Sequence, residues 1–233
     1  MKYKAVCFDI DGTLYPASFM NRNIGFMSFM HPVLALRYKK TRAKIREIQD
    51  CGDAFFDCMT FNEKEAFAYC EVTGNKTDIK DAREYLDRTY YKYLSRIYSR
   101  LPYQEETVKT FEYIKSKGLL IGIFSDWPLY SKLERIGVKD LCDATGCSVT
   151  DGYLKPSVHA FEKLLYNLKI DGSDVLYVGD SYSKDIEGAV KAGMDGVLIG
   201  EDPDRACNFP KACAVVENWK EFDLWLRRAF REE

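Results

Sequence analysis

The chain has 233 residues, 46% of them hydrophobic and 30% charged, with 34 basic against 36 acidic side chains. This composition excludes a disordered chain and fits a soluble globular protein long enough to bury its core without a disulfide or metal staple. The net charge of −2 disfavours a general nucleic-acid binder, whose footprint is basic.

No signal-peptide pattern opens the chain. Residues 3–8 (YKAVCF) form a short apolar run halted by Asp9 and read as a strand. Residues 15–102 break the pattern, with no clear strand and helical periodicity over 32–48, 62–71 and 78–96. This stretch holds 15 basic and 11 acidic residues, net +4, leaving −6 for the remainder. Its longest uncharged apolar run, residues 24–36, contains His31 and Pro32 and is too short to span a bilayer, so no stable membrane insertion is expected. Ile24, Phe26, Met27, Phe29 and Met30 are expected to pack within the insertion or line a substrate entrance. On the basic helix, Arg37, Lys40 and Lys44 share one face, and Lys39, Arg42 and Arg46 the opposite one. Charges so divided read as a solvated helix. Reversing Lys39, Arg42 and Arg46 to Glu is then expected to change kcat/KM by less than about tenfold.

Beyond residue 102 strands and helices alternate. The helix over 105–117 places Val108, Phe111 and Ile114 on one stripe and stops at Gly118. Strands follow at 119–124, 147–149, 175–178 and 197–199, with helices at 157–168, 183–192 and 219–230. Short β-branched runs ended by Ser, Asp or Gly are the mark of buried parallel strands. The expectation is an α/β, doubly wound, mainly parallel sheet with a Rossmann-like core and an all-helical insertion after the first strand. The eight cysteines contain no Cys-x-x-Cys, and neither histidine, His31 or His159, lies near a cysteine pair. They read as reduced, which places the chain in the cytoplasm.

Ligands of open α/β sheets bind outside the carboxyl ends of the strands. There the sequence sets Asp9 and Asp11, Ser125 and Asp126, and Asp180 and Asp185, with Lys155 before a proline. Carboxylates gathered at one edge repel each other unless a cation joins them, and an oxygen-only donor set points to Mg²⁺. Asp9 and Asp11 bracket Ile10, so one can attack an electrophile while the other handles protons. A carboxylate nucleophile, a metal and cationic stabilisation of phosphoryl oxygens are the parts of phosphoryl transfer.

The runs CFDIDGTLY (residues 7–15), IFSDW (123–127), Lys155-Pro156 and VGDSYSKD (178–185) resemble, in order, the four motifs of the haloacid dehalogenase-like hydrolase superfamily, phosphatase branch. The core resemblance covers residues 1–14 and about 103–216. It implies a catalytic core of 1–14 and 103–233, and a substrate-specifying helical cap of 15–102. Asp9 would then be the nucleophile and a metal ligand. Asp11 would serve as general acid and base, with its backbone carbonyl on the metal. Ser125 and Lys155 would hold the phosphoryl oxygens. Asp180 would ligate Mg²⁺ and Asp185 would orient that shell. Asp126 stands where many members have asparagine, leaving three placements open: facing away, joining the metal's outer shell, or contacting the cap. The implied activity is Mg²⁺-dependent hydrolysis of a small phosphorylated metabolite through an aspartyl-phosphate on Asp9, with the oligomeric state left open. Asp11 argues against a haloacid dehalogenase, which lacks it. A phosphoglucomutase-like transferase and a non-catalytic binding protein on the same fold are the alternatives.

Overall fold

The computed structural model describes residues 2–74 and 78–230. Six parallel strands, β1 (Ala5–Phe8), β2 (Leu120–Ser125), β3 (Ala144–Cys147), β4 (Val175–Gly179), β5 (Asp195–Ile199) and β6 (Ala212–Val216), form one sheet in the order β3-β2-β1-β4-β5-β6. The order reverses beside β1, so the carboxyl ends of β1, β2 and β4 frame the crevice where such sheets bind ligands.

The alternation of side chains along β1 divides the interior in two. Val6 and Phe8 pack with Phe111, Ile114, Phe222 and Leu226, which lie on the helices Glu105–Ser116 and Trp219–Ala229. Ala5 and Cys7 face the other way, toward Phe161, Leu164 and Leu168 of the helix Val158–Leu168. A period of two places these sets on opposite faces, and each fully buried Phe or Leu stabilises the layer by roughly 1.5–3 kcal/mol. Two elements differ from the sequence reading. The third strand ends at Cys147, because residues 148–151 coil into a helical turn stopped by left-handed Gly152, so Val149 lies outside it. The edge strand β6, absent from the sequence reading, is an unbroken apolar run (ACAVV) that stays mostly half-buried because it closes one edge of the sheet.

Between β1 and β2 the described residues form helices joined by turns and loops, with one pairing of two-residue strands, Asp11–Gly12 with Tyr15–Pro16. We label α1 (Ala17–Met30), α2 (Pro32–Ile48) and α3 (Phe61–Thr73); a last long segment, Ile79–Leu86, continues through a wider turn, Asp87–Tyr91, into Lys92–Tyr98. The α3 start carries a full capping box between Thr60 and Glu63. Tyr38, Thr41, Arg42, Ile45 and Ile48 of α2, with Gln49 at its C-cap, are all buried, a stripe three or four residues apart. Arg42 is only 6% exposed. The reading of the Lys39–Arg42–Arg46 face as solvated is corrected for Arg42 and Arg46, which the Tyr38–Ile45 stripe carries inward, whereas Lys39 is exposed. The opposite charges, Arg37 and Lys40, are exposed. On α1 only part of the expected packing occurs. Met27 is buried and Ile24 half-buried, whereas Phe26, Phe29 and Met30 are 62%, 82% and 54% exposed. Among the described residues no helix is long and apolar enough to cross a membrane.

Candidate active site

Asp9 follows the last residue of β1, and its backbone N–H still donates to Val178 O, 2.9 Å away. The chain then turns, with Leu14 N donating to Ile10 O, through Gly12 at φ +105°. Gly12 lies so close to Asp180 that a Cβ there would overlap the carboxylate, and Gly179 admits Asp185 in the same way. Asp185 is held from two sides: its Oδ2 accepts from Ser181 N at 2.9 Å, and its Oδ1 from Lys155 Nζ at 2.5 Å. Lys155, 2% exposed, also donates to Asp9 Oδ1 at 2.5 Å. One ammonium thus bridges two buried carboxylates.

Asp9, Asp180 and Asp185 each offer an oxygen within 4.8 Å of the others. Burial, with the neighbouring Asp185 and Asp180 charges, raises the Asp9 carboxyl well above the usual range despite Lys155. Burial and Asp185 push Asp180 up to about 6. Three crowded carboxylates against one ammonium leave an unmet demand for positive charge, and the donors are all oxygen, which fits Mg²⁺. A carboxyl whose folded pKa lies above its unfolded value contributes stability at low pH that is lost as pH rises through the folded value. Without a divalent cation, Tm is therefore expected to fall between about pH 4 and pH 6 through Asp180. Added Mg²⁺ should raise Tm more at pH 7.5 than at pH 4.5. Equal Mg²⁺ shifts at both pH values in a thermal melt would count against this cation site.

Asp11 does not join that cluster. Its Oδ2 accepts from Ser125 Oγ at 2.8 Å and Lys132 Nζ at 2.6 Å, and its Oδ1 from Tyr15 OH at 2.5 Å. Of the carboxylates expected at this edge, Asp9, Asp180 and Asp185 gather, while these donors draw Asp11 to the β2 side. Lys132 is fully buried, and its ammonium sits 4.0 Å from the centre of the Tyr98 ring. Burial lowers its pKa, partly opposed by Asp11. Sequence reading missed Lys132 because a lysine opening a short helix (Lys132–Ile136) is ordinarily solvated. The faint signal was its place beside Leu133, on a helix whose Ile136 is also buried.

Asp126 faces the helical insertion, and of the three placements its contacts match the one toward residues 15–102. Its Oδ2 accepts from Arg46 Nη2 at 2.6 Å and lies 3.5 Å from Arg42 Nη2, while its Oδ1 accepts from Lys155 N at 2.8 Å. Burial would raise its carboxyl, but Arg42, Lys155 and Arg46 hold it below the usual value. Arg46 also donates to Lys155 O, and Gln49 exchanges two hydrogen bonds with the Leu154 backbone. Helix α2 is thereby docked on the segment that presents Lys155. Glutamates at 42 and 46 would face Asp126 across this contact, so the expected bound of tenfold on their reversal no longer holds.

A cavity of about 590 Å³ is bounded by α1 and α2 on one side and by Asp126, Trp127 and Lys184 on the other. Tyr38 and Tyr90 stack with centroids 3.4 Å apart, and Trp127 lies 5.7 Å from Tyr38.

The sequence model of one protein family, described as haloacid dehalogenase-like hydrolase, matches residues 3–193. A glyceraldehyde 3-phosphate phosphatase of Methanothermobacter thermautotrophicus is 28% identical over 209 residues, 85% of this chain and 86% of that one. A ribulose-1,5-bisphosphate 5-phosphatase of Halopiger xanaduensis is 29% identical over 213 residues, 84% of each. In fold, a β-phosphoglucomutase from Clostridium difficile superposes with a TM-score of 0.67 at 16% identity, over 97% of this chain and 96% of that one.

Proposed function

The chain belongs to the haloacid dehalogenase-like hydrolases, and from that premise we propose that it is a phosphatase for a small phosphorylated metabolite, with residues 15–102 as its substrate-specifying cap. The observation that carries this reading is the pair of separately held carboxylates beyond β1. Asp9 lies in the acidic cluster and Asp11 outside it, against Ser125 and Lys132. A nucleophile and a proton-handling group need such separation. The names of the two phosphatase relatives support the same class of reaction.

Lys155 occupies Asp9 Oδ1, whereas Oδ2 has a weak contact to Thr13 Oγ1 at 3.4 Å and is the oxygen free to attack. A bond forms from Asp9 to phosphorus as the bond to the leaving oxygen breaks, and that oxygen takes a proton from Asp11. Water then attacks the aspartyl-phosphate, giving its proton to Asp11 and releasing phosphate. The three donors around Asp11 suit the carboxylate form that receives this second proton. In the first half the leaving oxygen takes the place of one donor. Ser125 and Lys155 would hold the phosphoryl oxygens. Mg²⁺ would be held by Asp9 and Asp180, with Asp185 orienting that shell through Ser181 and Lys155, and when bound it would neutralise phosphoryl charge.

The test is multiple-turnover release of inorganic phosphate from sugar phosphates with Mg²⁺. Release is expected, and exhaustive chelation should abolish it. Ca²⁺, with looser and larger coordination, is expected to inhibit. Isomerised product without phosphate release would point to a mutase instead. Asp11→Asn should cut turnover of an alkyl phosphate by about 10²–10⁴-fold and spare an aryl phosphate, whose leaving group needs little protonation. Equal losses on both would remove Asp11 from the role of general acid.

A further inference from the structure

The cavity between α1, α2 and the Asp126–Trp127 turn has an unusual charge balance. Four basic residues, Lys39, Arg42, Arg46 and Lys184, line it against one carboxylate, Asp126. That carboxylate is already engaged by Arg46 and by Lys155 N. Arg42 spends Nη2 on Asp126 O at 2.8 Å and lays its guanidinium 4.3 Å from the centre of the Trp127 ring. Its Nη1 is buried and has no hydrogen-bond partner among the described residues. An unpaired buried guanidinium nitrogen costs desolvation free energy that an incoming anion would recover.

Two residues of the cavity wall are chain neighbours of site residues. Asp126 directly follows Ser125, which bonds Asp11, and Lys184 directly precedes Asp185 of the acidic cluster. A molecule whose phosphate lies at Asp9 would extend its far end into this space, over the Tyr38–Trp127 surface and toward the basic residues. We infer that the cavity is a subsite for a second anionic group on the substrate, a carboxylate or a second phosphate. The inference rests on the phosphatase reading and narrows its substrate class to phosphomonoesters that carry another anion. Arg42 provides the buried donor. Lys39 and Lys184, both exposed, provide charge at the rim.

The experiment compares matched substrates that differ in the second charge. Phosphoglycolate is set against glycolaldehyde phosphate for a carboxylate, and fructose 1,6-bisphosphate against fructose 6-phosphate for a phosphate. At least one doubly anionic member is expected to show kcat/KM about tenfold or more above its partner. In the double variant Lys39→Gln/Lys184→Gln, with its fold confirmed by thermal melting, that preference should fall by about threefold or more, through KM. The pair that responds tells a carboxylate subsite from a phosphate subsite. A smaller preference in both pairs, or one that survives the double variant, overturns the inference. Hydrolysis of p-nitrophenyl phosphate separates the two levels. If it proceeds while no preference appears, the subsite alone fails. If neither it nor any of the four substrates releases phosphate, the phosphatase reading fails and the subsite with it.

Discussion

Asp9→Asn is expected to abolish phosphate release, by about 10³-fold or more in kcat, while leaving the fold intact. Asparagine has the same shape but no nucleophilic anion. The stability argument runs the other way from the catalytic one. Asp9 is a buried carboxylate whose charge is opposed by burial, Asp185 and Asp180, so neutralising it removes a repulsion. Lys155 keeps its partner Asp185 at 2.5 Å. Tm in the absence of Mg²⁺ should therefore match or exceed that of the parent chain. Acid quenching of wild-type turnover with ³²P-labelled substrate should trap labelled protein, and the variant should trap none. Steady turnover by a well-folded Asp9→Asn protein would refute the covalent route.

Lys155→Met should produce the largest loss of stability among the site variants. The ammonium lies between Asp9 and Asp185, with side chains 3%, 7% and 2% exposed respectively. Removing one partner of such a buried arrangement strands the others, at a cost of about 3–5 kcal/mol. For a chain of this size that lowers Tm by roughly 6–20 °C. The Asp9 carboxyl, already raised by burial, can escape part of the cost by taking up a proton. The loss should then be small at pH 4.5 and grow as pH rises through 6 and beyond. Mg²⁺ supplies the missing positive charge, so it should raise Tm more in the variant than in the parent, without restoring turnover. A pH-independent loss with no added response to Mg²⁺ would show that Lys155 acts through packing, not through charge.

Much of this molecule is written locally. The alternation of β1, the stripe of the helix Glu105–Ser116 and the glycine-led turn after Asp11 are relations among residues within a few positions of one another, and the sequence alone determined them. It likewise pointed to Asp9, Asp180 and Asp185 meeting, because parallel strands in a doubly wound sheet present their carboxyl ends along one edge. What the tertiary structure decided was how the charges pair. Lys132 meets Asp11 across 121 residues, and Arg46 meets Asp126 across 80. No local period encodes such partners. Alone, each lysine or arginine favours water, and only a buried carboxylate brought near by the fold offsets the desolvation that would otherwise keep it at the surface. The same balance decided that Arg42 lies inward on a helix whose charges suggested solvent, since Tyr38 and Ile45 bury that stripe and Asp126 receives its guanidinium.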